Sequence, residues 1–526
     1  MPSASSPALG HSTTHSSDTR RMFAFLAMVF GMFMAILDIQ IVSASLAEIQ
    51  AGLAASSDEI SWVQTSYLIA EVVMIPLSGF LSRALSTRWF FAISAIGFTL
   101  MSFLCATATT IEQMIIYRAL QGFLGGGMIP TVFAAAYSVF PKEKQPIVAP
   151  MIGLVATMAP TIGPTVGGYL TDLFSWHWLF LVNVVPGIGV VLATITLVDF
   201  DEPDFALLNR FDWWGLIFMA GFLGSLEFVL EEGPTNDWFD DTAILAFSVV
   251  CAVSAIAFFA RVTLAKLPVV DIRAFINRNF SIGSAFSFVL GIGLYGLTYL
   301  YPIFLGRVRG YSALQIGETM FVTGVAMFLT APIAGRLMNK LDPRLMMGIA
   351  FIGFAVGTWW ITFITKDWDF WELVIPQILR GTSLMMAMIP INNISLGTLP
   401  PDQLKNASGL FNLTRNLGGA VGLALINTVL NNRWDLHMAR LREQVQWGST
   451  AALEKLDGLT QALSGLGSDA QTAALKEMAL MVRMEALVMA FADVFYILTF
   501  LFVVLALASP LMRKPKGGPP TGAGGH

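Results

Sequence analysis

Charge is scarce in this sequence: Asp, Glu, Lys and Arg together make up 12% of 526 residues. Cysteine is scarcer. Cys105 and Cys251 are the only two, and both lie in apolar runs where they act as small hydrophobes, which excludes a disulfide framework and a thiolate metal site. The five histidines stand at positions 11, 15, 177, 437 and 526 with no HExxH pattern, so a histidine-metal enzyme lacks its ligands. No GxxxxGK[ST] phosphate loop occurs, which leaves transport driven by the chain's own ATPase without support. No cofactor, no metal and no nucleic-acid partner is expected, and the chain does not read as an enzyme. The first twenty residues lack an apolar core and read as a disordered tail, not a cleavable signal.

What is present in quantity is hydrocarbon. A hydrophobic share of 55% and a mean hydropathy of +0.69 lie outside the range of soluble chains and predict an all-α integral membrane protein. A hydrocarbon layer of about 30 Å takes roughly 20 apolar residues per helix. Cutting the runs at polar breaks predicts fourteen spans, from 22–47 through 212–230 and 241–260 to 488–510. With the N-terminus in the cytoplasm, 18 of the 30 basic residues fall in inner segments, among them Arg83, Arg88, Lys142, Lys266, Arg344 and Lys405. The short outer loops hold only Arg307, Arg309 and Lys366. Both termini are therefore expected on the cytoplasmic side.

The stretches "IPLSGFLSRALSTR" (75–88) and "APIAGRLMNKLDPR" (331–344) share Pro76/Pro332, Gly79/Gly335 and Arg88/Arg344 at one offset. That offset lays the first six spans over the last six and leaves spans seven and eight as an insert. Parallel halves of six helices around a central site are the plan of a secondary transporter. The expected organisation is a tail at 1–21, a first half at 22–199, inserted helices with linkers at 200–279, a second half at 280–510 that includes an outer loop at 431–487, and a tail at 511–526.

The fifth span, "GLVATMAPTIGPTVGG", sets Gly153, Gly163, Gly167 and Gly168 among Pro160 and Pro164. Gly at such spacing admits a neighbouring backbone, and Pro removes helix donors and bends the segment. Gly122 and Gly125–Gly127 make a similar face on the fourth span. These motifs resemble those of the drug/proton antiporters of the major facilitator superfamily, the fourteen-helix EmrB/QacA type. "LDIQIVSASLAEI" is similar to the first-helix motif at Leu37, Asp38, Ile41 and Val42, with Ala47 where Pro is usual. "RALQG" matches the fourth-helix motif at Arg118, Gln121 and Gly122, and "APTIGPTVGG" matches the antiporter motif at Gly163, Pro164, Gly167 and Gly168. The loop motif fits at Gly79 and Arg88, but Arg83 occupies the usual acidic position and Ser86 that of a glycine, which puts its gating salt bridge in doubt. The resemblance implies a major facilitator fold of 14 transmembrane helices, two six-helix halves plus two inserted helices.

Asp38 stands in a run otherwise apolar or small and polar, where a carboxylate costs about 2.5–3.5 kcal/mol at the bilayer centre on insertion scales. Counting 1.5 Å per residue from the span ends places Asp38, Glu71 and Arg118 at one depth to within about a helical turn. If the three face one cavity, one acid stays charged against Arg118 while the other titrates, as proton coupling requires. Arg380, Arg415 with Asn412, and Asp493 are secondary polar candidates in the second half. Glu227, Glu231 and Glu232 sit at or beyond the outer end of the seventh span and read as solvated surface.

The function expected is proton-coupled multidrug efflux of lipophilic or amphipathic compounds by alternating access, from a bacterial inner membrane. The alternatives are an exporter or importer of a specific metabolite, such as a siderophore or fatty acid, and a non-transporting sensor. The outer segment 431–487 carries apolar residues at helical spacing, as in "LHMARLREQVQ". The segment either covers the outer mouth of the transporter, as fits QacA-like members that work alone, or, as the EmrB side of the resemblance implies, is a contact for a periplasmic membrane-fusion adaptor that leads to an outer-membrane channel.

Overall fold

Apolar runs of 20 or more residues satisfy their backbone groups in a membrane only as helices, and the chain folds as helices joined by short connections. The computed structural model describes residues 12–141, 144–265, 268–338, 340–400, 402–445 and 449–512. Among the described residues no strand occurs. Helix α1 (Ser12–Ala44) starts well inside the expected tail, and positions 1–11 and 513–526 of the two tails lie outside the described residues. So do Lys142 and Lys266 of the inner basic set. A short α2 (Leu46–Leu53) follows.

Helix α3 (Ser57–Ala106) opens with a reciprocal cap between Ser56 and Glu59 and runs for 50 residues, roughly 75 Å at 1.5 Å per residue. It is bent at Ser86, whose φ is 73°, so the second and third expected spans are two arms of one broken helix. Helices α4 (Ile111–Gly125) and α5 (Met128–Val139) form the fourth span, interrupted at Gly126–Gly127. Helix α6 (Gln145–Leu173) contains Pro150, Pro160 and Pro164, and the short α7 (Trp178–Leu181) leads into α8 (Val184–Leu197).

The inserted pair is α9 (Trp213–Glu232) and α10 (Thr242–Leu264), capped by Asp212 and Asp241. Their surroundings differ. Helix α9 packs on α3 and α15, whereas α10 packs mainly on α9 and has 11% of its apolar stretch buried, as suits a face turned to lipid. The second half follows as α11 (Arg278–Arg307), α12 (Ala313–Leu337), α13 (Pro343–Ile361), α14 (Phe370–Leu396), α15 (Leu404–Gln444), α16 (Thr450–Ala462) and α17 (Ala470–Ala508).

By length and apolarity, 12 helices among the described residues can cross a membrane, against fourteen expected spans. The count differs for two physical reasons. The Glu59–Ala106 stretch spans two expected segments in one helix, and α15 carries too many Asn, Arg and Gln residues to qualify although its first half is buried. The repeated residues occupy matching places. Pro76 and Pro332 lie inside α3 and α12, while Arg88 follows the Ser86 bend and Arg344 opens α13.

The halves meet along α6 against α12 and along α3 and α5 against α15. Within the first half α6 lies close on α1, and a Cβ added to Gly167 would stand 2.7 Å from the Ile41 carbonyl oxygen, nearer than real Cβ atoms come. Only glycine permits that approach.

Candidate functional site

The Asp38 side chain has no solvent exposure, and its burial is matched by three partners on two other segments. Arg118 Nη1 on α4 donates to Asp38 Oδ2 at 2.6 Å. Asn183 Nδ2, at the start of α8, donates to Oδ1 at 2.7 Å, and Gln121 Nε2 donates to the same oxygen at 3.2 Å. The network closes on itself. Arg118 Nη1 also donates to Gln121 Oε1 at 2.7 Å, Arg118 Nε donates to the Val63 carbonyl at 3.2 Å, and Gln121 Nε2 reaches Ser102 Oγ at 2.7 Å. The guanidinium carbon lies 4.2 Å from the Tyr67 ring centroid, a cation–π contact in a dry setting. Among the described residues, Arg118 Nη2 and the Tyr67 hydroxyl are buried without a hydrogen-bond partner.

One carboxylate thus faces one guanidinium, and the cluster is neutral as a whole. The i, i+3 spacing of Arg118 and Gln121 puts both on one face of α4, which explains how "RALQG" serves two polar groups at one point. Asn183, Ser102 and Tyr67 were not among the expected residues. Asn183 had a signal: it is a lone amide in the apolar run "LFLVNVVPG" and needs a polar partner there.

Glu71 does not join this network. It is 3% exposed and lines a separate cavity of about 60 Å³ with Glu227 and Glu231 of α9, Tyr295 of α11 and Asn416 of α15. The expectation that Asp38, Glu71 and Arg118 face one cavity is therefore corrected: Asp38 and Arg118 meet each other, while Glu71 turns toward the inserted helix. The reading of Glu227, Glu231 and Glu232 as solvated surface is corrected as well. Glu227 is 6% exposed, Glu231 is half-buried in the cavity wall, and Glu232 accepts from Thr65 Oγ1 at 2.9 Å. The cause is tertiary, because α9 lies against α3 and α15 instead of standing alone in lipid. Beside Glu71 the chain is pared back, since a Cβ at Gly126 would sit 3.0 Å from Glu71 Cγ.

The second half holds two buried cations. Arg380 Nη2 donates to Thr298 Oγ1 at 2.6 Å, with its guanidinium 5.4 Å from the Tyr301 ring centroid. Arg415 donates to Asn412 on the preceding turn and lies 5.0 Å from the Phe133 ring of the first half. Asp493 on α17 is hydrogen-bonded to His437 Nε2 at 2.8 Å and paired with Arg433 at 3.6 Å, both on α15. Of the glycine motif in α6, Gly163 faces Gln40 and Gly167 faces Ile41 on α1, whereas Gly153 faces Ile389 and Met385 on α14. Gly168, Pro160 and Pro164 lie in the same helix.

The loop motif is rebuilt with other residues. Gly79 packs on the backbone of Lys405–Asn406, Arg83 Nε donates to the Gly79 carbonyl at 3.2 Å, and Arg88 pairs with Asp199 at 2.7 Å. Lys405 Nζ reaches Asp201 at 2.5 Å and the Ser82 carbonyl at 2.9 Å, tying the start of α15 to the first half. Among the described residues no three His, Cys, Asp or Glu side chains are grouped to hold a metal ion.

A family model described as Major Facilitator Superfamily matches residues 28–423. The chain belongs to the major facilitator superfamily. Within it, the sequence is 41% identical over 492 residues to the colistin resistance protein EmrB of Acinetobacter baumannii, a match covering 94% of this chain and 96% of that protein. It is 31% identical over 503 residues to the multidrug export protein EmrB of Escherichia coli K12, covering 95% and 97%. It is 29% identical to the fatty acid resistance protein FarB of Neisseria gonorrhoeae over a similar span, covering 95% and 97%. Among solved structures, the xylose symporter XylE superposes with a TM-score of 0.58 at 11% identity, covering 93% of this chain and 95% of that one. The human organic anion transporter TETRAN gives 0.56, also at 11% identity, and covers 92% and 99%. At such identity these two establish the superfamily fold alone.

Proposed function

We propose that this chain is a proton-coupled exporter of lipophilic or amphipathic compounds, working by alternating access as a multi-pass protein of a bacterial inner membrane with both termini in the cytoplasm. The observation that carries the reading is the fully buried Asp38–Arg118 pair with its amide partners. A buried ion pair is costly to desolvate and is held only where further polar partners offset that cost, as Asn183 and Gln121 do for Asp38, so it marks a point that the fold protects. Motion of α4 against α1 that parts the pair leaves Asp38 to take up a proton, and closure returns it. Asp38 is assigned as a proton-binding acid, Arg118 as its charge partner and Glu71 as a further acid in its own cavity. The two relatives named for colistin resistance and multidrug export, at 41% and 31% identity, favour drug efflux over a dedicated metabolite carrier.

The same reading extends outside the membrane. Helix α15 is 41 residues long and α17 is 39, roughly 60 Å each, about twice a hydrocarbon layer. Their outer parts are bound by the His437–Asp493 contact and by Arg483 lying 5.3 Å from the Trp434 ring, with α16 packed on α17. This platform is the proposed seat of a periplasmic membrane-fusion adaptor that passes substrate on to an outer-membrane channel.

Reconstitution in proteoliposomes with an imposed proton gradient and a panel of lipophilic drugs tests the central reading. The parental protein is expected to accumulate some of them only while the gradient lasts, and Asp38→Asn to insert normally yet lose gradient-driven accumulation. Parental accumulation by Asp38→Asn across the pH range refutes the coupling role of Asp38.

A further inference from the structure

The inserted pair α9 and α10 has no counterpart in the repeated halves, and its two helices are unlike each other. Helix α10 is apolar and turned outward, but α9 sets Glu227 and Glu231 one turn apart on the face it presents to the bundle. Both line the cavity that Glu71 lines from the opposite side, at the junction of the first half, the insert and the second half. Glu71 and Glu227 are each more than nine-tenths buried and, among the described residues, have no hydrogen-bond or ion-pair partner, their side chains opening onto the cavity instead.

The surrounding charges do not neutralise them. Among the described residues the acid of α3 that faces the cavity is Glu71 itself, α1 contributes Ile39, α11 contributes Tyr295 and α15 contributes Asn416. Arg118, behind Glu71, is taken by Asp38, and Arg415 next to Asn416 turns to Asn412 and Phe133. Glu232 is held by Thr65. Three carboxylates lining one small cavity, with no cation among the described residues of its wall, cannot all stay ionised, because each uncompensated buried charge is expensive. A space of about 60 Å³ is room for a few water molecules, too small for an amphipathic drug, and the acids are not grouped to hold a metal ion. The positive charge that fits is the proton.

We infer that Glu227 and Glu231, brought in by the inserted helix α9, complete with Glu71 a second proton-holding site, distinct from the Asp38–Arg118 network. The inference rests on reading the chain as proton-coupled, and it makes the inserted helix part of the coupling machinery. The carboxyls carry protons while the cavity is closed and release them when the halves part and water enters.

Infrared difference spectra of the protein in liposomes, taken between mildly acidic and mildly alkaline pH, test this without a transported substrate. Protonated-carboxyl bands that vanish on the alkaline side are expected in the parental protein, reduced in Glu227→Gln and Glu231→Gln, and displaced but kept in Glu227→Asp. The displaced band in the Asp variant separates loss of a carboxyl from misfolding. Bands unchanged in both Gln variants overturn the second site and leave the Asp38 reading intact. A loss of coupling confined to Asp38→Asn, with the Glu bands present in that variant, supports two separate sites.

Discussion

Replacing Arg118 by Ala isolates the charge that balances Asp38. The change removes the 2.6 Å ion pair, the bond to Gln121 and the bond to the Val63 carbonyl, and leaves Asp38 with only Asn183 and Gln121 as donors inside an unexposed site. Breaking one side of a buried pair costs about 3–5 kcal/mol, most of it from the charge left behind. Asp38→Asn strands Arg118 in the same way and costs a similar amount. The double variant carries no stranded charge, so its loss should fall short of the sum of the singles by about 2–3 kcal/mol. Arg118→Lys keeps the charge but loses the planar fork and the contact with the Tyr67 ring, so it should lie between parent and Ala, in stability and in transport. Equilibrium unfolding of the four proteins of the cycle in mixed micelles measures the coupling. Additivity of the singles to within about 0.5 kcal/mol would show that the pair is not a unit and refute the reasoning.

Lys405→Ala should loosen the contact between α15 and the first half, because it removes the tie to Asp201 and to the Ser82 carbonyl. The pair is partly exposed, 17% and 25%, so the shift should be about 1 kcal/mol, roughly fivefold in population, read as faster thiol labelling of a Ser82→Cys reporter; unchanged labelling would rule this tie out as a latch. Replacing residues 440–480 by a short flexible linker should leave proteoliposome transport intact while whole-cell resistance and adaptor crosslinking fall. Retained crosslinking would place the docking surface elsewhere.

The helical class and the meeting of Asp38 with Arg118 could be anticipated because each follows from a local rule. An ion in an apolar run must find a partner, and the base that the sequence places inside a span of the first half is Arg118. The rest of the network was harder to see. Ser102 and Asn183 are single polar residues that a helix in a bundle tolerates, and nothing in their neighbourhood says which carboxylate they face. Helix α15 was expected as a span at 406–430 and forms from Leu404, although Asn406, Asn412, Arg415 and Asn416 lower its apolarity below that of a lipid-facing helix, because much of it is surrounded by other helices and not by hydrocarbon.

Glu227 and Glu231 show where local rules stop. Their distance along α9 from its N-terminal end places them at the far end of the span, and depth is the one coordinate that sequence supplies. Burial depends on a second coordinate, the rotation of α9 about its axis, and that is set by contact with α3 and α15, far away in sequence. The same rotation explains the contrast between the inserted helices. Turned outward, α9 would expose two carboxylates to hydrocarbon while burying residues such as Trp213 and Ile217, which now face out with 67% and 55% exposure. The amphipathic cost of the wrong rotation, about 2.5–3.5 kcal/mol for an acid at the bilayer centre and less nearer its edge, therefore fixes the orientation that brings the acids to the cavity. The energetic reason that α9 faces inward and the chemical composition of the cavity are one fact, and it ties the insert to the junction between the moving halves.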